Sequence, residues 1–172
     1  MYFYGKATDG NKMQRDIAEQ VIRLHVVANS DSEEDQQLKL EVKEEVVQML
    51  RDELIQDTTV ISAQQTLRDH LSEVEQVASD YIQRNGYDYE VKAELGTCYF
   101  PVKQYGDMTF PAGEYKALKV NIGRHEGKNW WCVMYPTLCF VDSTYQIVPE
   151  ESKEKLKENL SEEEYESLLT GE

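Results

Sequence analysis

Basic residues are scarce in this chain: 18 lysines and arginines stand against 33 aspartates and glutamates, giving a formal net charge of −15. Binding to a phosphate backbone needs the opposite sign, so we predict no nucleic-acid partner. Long apolar runs are also missing, since no segment approaches the roughly 18 apolar residues of a membrane span. We therefore expect no direct membrane insertion of this chain, and residues 1–12 do not have the pattern of a signal peptide.

Cysteine is rare too, with only three in 172 residues, at positions 98, 132 and 139. A structural zinc site normally needs four ligands at tighter paired spacings, so we predict no metal site. The glycine-containing segment GDMTFPAGE (106–114) lacks the spacing and the Lys-Ser/Thr ending of a phosphate-binding loop. It is interpreted as a turn, and no cofactor is predicted.

The first half of the chain alternates between strand and helix signals. VIRLHVVA (21–28) is β-branched, with Ile22, Leu24 and Val26 on one face and Arg23 and His25 on the other. NSDSEED (29–35) then offers capping residues, and apolar residues at helical spacing predict a helix to about residue 54. A second helix is predicted from a cap at position 62 to the Asn-Gly stop at 85–86.

The second half is rich in strand signals. Alternating segments at 89–100 and 116–122, followed by NWWCVMY (129–135) and LCFVD (138–142), predict three to four further strands. The expected fold is α+β: a strand, two long helices, a mostly antiparallel sheet, and an acidic helical tail. The expected boundaries are a flexible lead-in over 1–20, a single domain over 21–148 and the tail over 149–172.

The stretch GKNWWCVMYPTLCF (127–140) has two chemical interpretations. A hairpin with a four-residue loop would place Cys132 opposite Cys139, at a separation that suits a disulfide. Alternatively, Cys132 is the nucleophile of a hydrolase, with His25 as base and Asn29 or Asp31 fixing its tautomer. A lone histidine in a strand is more often structural than catalytic.

Two adjacent tryptophans stand out in the same stretch. Trp130 and Trp131 are neighbours in a predicted strand, so they point to opposite faces of the sheet. One is expected in the core. The other is either covered by a helix or exposed, and an exposed tryptophan is a typical interface anchor.

Three segments resemble the stage II sporulation protein R family of endospore-forming bacteria. They are IRLHVVANSDSEEDQQLKLEVK (22–43), PAGEYKALKVNIG (111–123) and GKNWWCVMYPTLCFVD (127–142), in that order. The resemblance implies a sporulation signalling protein, made in the forespore and exported into the space between the forespore and mother-cell membranes. The resemblance also implies that it there activates a membrane-embedded aspartic protease, at its extracytoplasmic face, that processes a mother-cell sigma factor precursor. The export segment expected from the resemblance is absent from this sequence.

Residues matching the family pattern are the candidates for partner binding. They are His25, Asn29, Ser30, Asp31, Gln36, Lys39, Trp130, Trp131 and Pro136. The leading hypothesis is a non-enzymatic activator that uses these residues, with Cys132 and Cys139 as a candidate disulfide. The alternative is the cysteine hydrolase built on Cys132 and His25.

Overall fold

The sheet is the centre of the fold, in the computed structural model that describes residues 12–136, 148 and 150–170. Its four strands lie in the order β2-β5-β1-β6, and β3 and β4 form a separate two-stranded sheet. β1 runs parallel to β5 and antiparallel to β6, whereas β2 runs antiparallel to β5. The strands are β1 Ile22–Val27, β2 Val91–Phe100, β3 Lys103–Tyr105, β4 Met108–Phe110, β5 Gly113–Ile122 and β6 Asn129–Tyr135. The helices are α1 over 12–18, α2 Glu33–Leu54, α3 Val60–Asp69, α4 Leu71–Arg84, α5 Glu150–Asn159 and α6 Glu162–Thr170.

This architecture confirms the predicted α+β class. One face of the sheet carries the apolar side chains of Leu24, Val26, Leu118 and Val120, all fully buried. The buried stripes of α2, α3 and α4 pack in the same core, as their apolar spacing predicts. The other face carries Arg23 and His25 of β1. Aromatic side chains cover these two residues, and the candidate site lies there. Within the described residues, no helix is both long enough and apolar enough to cross a membrane.

The predicted second helix is two helices, α3 and α4, which meet at His70. Thr59 caps α3, because its side chain accepts a hydrogen bond from the Ser62 amide at 3.1 Å. Ser62 is therefore not the cap, and its hydroxyl instead donates to Asp57. His70 leaves helical geometry, with φ −110° and ψ 8°, so the chain turns there.

The segment 106–114, interpreted as a turn, instead contributes β4, which pairs with β3 in a hairpin. Tyr105 and Met108 pair across its turn, and both are buried. Asp107, within that turn, accepts hydrogen bonds from the Val148 amide at 2.8 Å and from Lys153 Nζ at 2.5 Å. Burial alone would raise the pKa of Asp107, but these two partners outweigh it and lower the pKa. The contacts tie the C-terminal helices to the hairpin.

Both ends of the described chain pack on the domain. We predicted a flexible lead-in to residue 20, but residues 12–18 form α1, and Ile17 is fully buried. The reason is that Ile17 and Val21 supply apolar surface to the core. The predicted helical tail forms α5 and α6, which bury Leu156 and Leu168 against the domain.

Candidate functional site

The turn between β1 and α2 is organised around the carboxylate of Asp35. Asn29 Nδ2 donates to it at 2.9 Å, Ser30 Oγ at 2.5 Å and the Tyr89 hydroxyl at 2.8 Å. Ser32, one of the capping residues that the NSDSEED segment offers, caps α2 by accepting from the Asp35 amide at 3.1 Å. Burial alone would raise the pKa of Asp35, but these hydrogen bonds lower it. The carboxylate is therefore a structural acceptor for three donors.

The same turn holds the loop between β5 and β6. Asn29 Oδ1 accepts from the Arg124 amide at 2.9 Å, and Asp31 Oδ1 accepts from the Lys128 amide at 2.8 Å. Gly123 has a φ of +57°, and a Cβ there would lie 2.3 Å from Asn29 Oδ1. Only glycine fits this close approach. The NSDS motif thus fixes the relative position of two neighbouring loops.

Gln36 and Lys39 extend this network along α2. Gln36 Nε2 donates to the Ser30 carbonyl at 3.0 Å, and Lys39 Nζ donates to Gln36 Oε1 at 2.7 Å and to the Lys128 carbonyl at 3.3 Å. Five of the residues predicted to bind a partner are thereby brought together, and each has intrachain contacts: Asn29, Ser30, Asp31, Gln36 and Lys39. Whether they also contact a partner stays a prediction.

His25 and Trp131 form the most distinctive contact on the opposite face of the sheet from α2. The two residues pair across β1 and β6, and their rings stack with centroids 4.3 Å apart and planes 13° from parallel. The ring of Phe100 meets the ring of Trp131 edge-on at 4.9 Å. His25 is 7% exposed, whereas Trp131 is half-buried and presents part of its indole to solvent.

The imidazole of His25 is neutral at physiological pH. Burial lowers its pKa to about 4, the side chain of Asn129 opposes that shift, and Lys119 adds to it by charge repulsion. Neither ring nitrogen makes a well-formed hydrogen bond with any described residue, Asn129 included. His25 therefore supports the indole as an uncharged aromatic ring. The described chain also holds no group of three His, Cys, Asp or Glu residues that could bind a metal ion.

Arg23 is a buried cation on the face of β1 that was predicted to carry the polar side chains. Its side chain is fully buried, and its guanidinium carbon lies 4.2 Å from the ring centre of Phe100 and 4.5 Å from that of Tyr115. Nη2 donates to the Tyr105 hydroxyl at 2.8 Å, and that hydroxyl donates to the Trp131 carbonyl at 3.1 Å. Aromatic faces attract a desolvated cation. Arg23 thus joins the β3–β4 hairpin to the sheet just below the Trp131 stack. Four aromatic residues between positions 100 and 115 surround the guanidinium, and their clustering was the sequence signal that could have predicted this enclosure.

Trp130 points to the other face, as the alternation predicts. It pairs with Val26, and Lys43 Nζ of α2 lies 4.6 Å from its ring centre. Both tryptophans are half-buried. Trp130 is therefore partly covered by α2, and Trp131 lies on the opposite face, beside His25. Pro136, directly after β6, is buried.

Cys132 does not have the environment of a nucleophile. It is disulfide-bonded, 1% exposed, and pairs with Leu24 on the helix-covered face. His25 lies on the opposite face, because neighbouring residues of a strand alternate. Neither Asn29 nor Asp31 contacts the His25 ring nitrogens. The alternative catalytic group of Cys132, His25, Asn29 and Asp31 is thus not assembled.

The pairing of Cys132 with Cys139 stays a prediction, since Cys139 lies outside the described residues. Cys98 is free and half-buried. If the bond joins Cys132 to Cys139, serine at either position should lower the free energy of unfolding by a similar amount, about 2–3 kcal/mol. Denaturant unfolding without reductant measures this effect. Cys98→Ser is the matched control, and a loss confined to Cys132→Ser would contradict the pairing.

Comparisons with known proteins identify the family to which this chain belongs. A family profile described as stage II sporulation protein R matches residues 18–145. The stage II sporulation protein R of Bacillus subtilis (strain 168) is 35% identical over 139 residues, covering 81% of this chain and 62% of that protein. This chain therefore spans less than two thirds of that relative's length. No solved structure matches the chain. The chain belongs to the stage II sporulation protein R family.

Proposed function

We propose that this protein is an intercompartment signal that activates a membrane-embedded aspartic protease during sporulation. It is exported from the forespore and binds the outer domain of the protease from the space between the forespore and mother-cell membranes. The bound protease then processes a mother-cell sigma factor precursor. Membership of the sporulation family supports the sporulation role, and the finer steps are the proposal.

One observation carries the choice of contact surface: a partly exposed tryptophan that is held in place by an aromatic stack. Trp131 stacks on His25, and beneath the stack lies the aromatic enclosure of Arg23. Lys119 and Asn129, both half-buried, flank the His25 ring. We call Trp131, Lys119 and Asn129 the Trp131 surface. A large aromatic side chain that is already held in place loses little freedom on binding, which is what an interface anchor requires.

A binding function also fits the side chains at the site, none of which is arranged as a catalytic group among the described residues. The thiol of Cys132 is engaged in a disulfide, and the His25 imidazole supports an indole instead of facing a nucleophile. Within the described residues, the site offers an aromatic side chain and polar flanks but no activated nucleophile. We therefore propose binding of the protease, without chemistry on a substrate of its own.

Reconstitution tests this function directly. Purified chain is mixed with the purified outer domain of the protease, and complex formation is measured by isothermal titration calorimetry. In parallel, sporulating cells that lack the gene receive either the wild-type chain fused to an export signal or no chain. We expect a one-to-one complex and sigma-precursor cleavage only in cells given the chain. Cleavage without the chain, or no complex between the purified components, would overturn the proposal.

A further inference from the structure

The strand β2 lies at one edge of the sheet, and its backbone orientation can be read from two contacts. The Glu90 carbonyl accepts from the Gly123 amide at 2.8 Å, so the even-numbered residues that follow direct their backbone groups toward β5. The Ala93 amide instead donates to the Glu75 carboxylate of α4 at 2.8 Å. The odd-numbered residues of β2 therefore direct their N–H and C=O groups away from the sheet.

Within the part of the chain that the structure describes, the far half of this edge is unpaired. Among the described residues, none makes a hydrogen bond to the outward backbone groups of Leu95, Thr97 or Tyr99, and Glu75 covers only Ala93. The β2–β5 register is uninterrupted from Val91 to Phe100, so no bulge bends the edge away. The sequence LGTCY (95–99) contains no charge and no proline. Proteins usually protect a free edge with one of these devices.

A groove with both polar and apolar side chains runs beside this edge. It has a volume of about 730 Å³, lies between α1, α3 and the ends of β2 and β5, and is lined by residues that include Ile61 and Thr97. Ile61 is 75% exposed and Tyr99 is 63% exposed. Side chains of an added strand alternate in direction, so every second one would face this groove.

We infer that the edge of β2 from Leu95 to Tyr99 binds an extended segment of a partner protein, which adds to the sheet as a fifth strand and directs alternate side chains into the groove. The identity of the partner rests on the proposed function, which makes it the outer domain of the protease. A second copy of this chain is disfavoured as the occupant, because each copy carries a charge of −15. Adding a strand to an exposed edge is an established mode of peptide recognition.

A proline at position 97 tests the edge specifically. Thr97→Pro removes an outward N–H and leaves the β2–β5 ladder intact, since the Thr97 amide makes no bond to β5. We expect it to weaken binding of the purified outer domain at least about tenfold, through the lost backbone hydrogen bond and the ring's obstruction of the edge. The control Thr97→Val keeps the N–H, and its affinity should stay within about twofold of the wild type. Calorimetry gives both affinities, and circular dichroism checks the fold.

Hydrogen exchange of the wild-type chain gives a second test that does not depend on the variant folding. Upon binding, the amides of Leu95, Thr97 and Tyr99 should slow at least about tenfold, while Gly96 and Cys98, already bonded to β5, should change little. If the wild type binds but this alternation is missing, or if Thr97→Pro binds normally, the edge inference is wrong and the proposed function stands. If the wild type fails to bind, the proposed function falls and this inference with it. Concentration-dependent dimerisation that protects the same amides would assign the edge to a second copy and also overturn the inference.

Discussion

Trp131→Ala is expected to weaken binding to the outer domain of the protease about 30-fold or more, and to abolish precursor processing in sporulating cells. A tryptophan at the centre of an interface commonly contributes at least about 2 kcal/mol when it is truncated, which corresponds to roughly that factor. The indole is half-buried in the free protein, so part of its area is still available for a partner. Titration calorimetry of the purified components measures the change, and detection of the cleaved precursor follows it in cells.

Two controls separate a lost contact from a lost fold. Trp130→Ala removes the adjacent tryptophan from the helix-covered face, where it contacts Lys43, and should leave affinity within a few-fold of the wild type. Trp131→Ala should also raise the pKa of His25 from about 4, because burial is the main cause of its low value, and nuclear magnetic resonance titration can follow this. Equal losses from both tryptophans at equal stability would show that the contact surface is not confined to the Trp131 surface. The prediction from the sequence that Trp130 also contacts the partner would then gain support.

The sequence predicts individual helices and strands better than it predicts their breaks and their pairing. The strand at 22–27 and the helix that follows were predictable, because apolar residues recur at the spacing of each element and Ser32 caps the helix. The break at His70 was not predictable, since the apolar stripe continues across it. The pairing of β1 with β5 was also hidden, because those strands lie about 90 residues apart and no local pattern encodes which strands become neighbours.

Alternation in β1 predicts the direction of its side chains but not what covers them. Arg23 and His25 do share a face, as predicted, but both are buried. The cover comes from Phe100, Tyr105 and Trp131, which reach β1 only in the folded chain. A basic residue on the second face of a strand looks solvent-exposed whenever the aromatic residues that enclose it are distant in sequence.

The NSDS motif illustrates the same limit in another way. Capping preferences predict that a helix begins in this segment, and the structure places the cap at Ser32. They do not predict that Asn29 and Asp31 hold the 123–128 loop, or that Tyr89 reaches Asp35. The residues that match the family pattern in this segment therefore have intrachain hydrogen bonds that account for the choice of polar side chains. A change there is expected to alter stability even if a partner also touches it.

Asp35→Ala is expected to lower the free energy of unfolding by about 3 kcal/mol. The substitution leaves the side-chain donors of Asn29, Ser30 and Tyr89 without their shared acceptor, and hydrogen bonds to a charged group contribute about 1.5–3 kcal/mol each, although they are not additive. It also removes an acidic residue from the first turn of α2, where the helix dipole favours negative charge. Urea unfolding at neutral pH measures the loss. The exposed Asp52 on the same helix is the matched control, and its replacement by alanine should change stability by no more than about 0.5 kcal/mol.

The pH dependence identifies the ionised carboxylate as the source of the effect. The pKa of Asp35 is lower in the folded protein than its ordinary value, so its contribution is complete above the unfolded pKa of about 4 and is lost as pH falls through the folded pKa. The stability difference between wild type and Asp35→Ala should therefore be constant from about pH 5 to 7 and should shrink progressively below pH 4. A difference that stays the same down to pH 2 would mean that Asp35 acts through packing alone. In that case the three donors would not depend on its charge, and the carboxylate would not be what joins the β1–α2 turn to Tyr89.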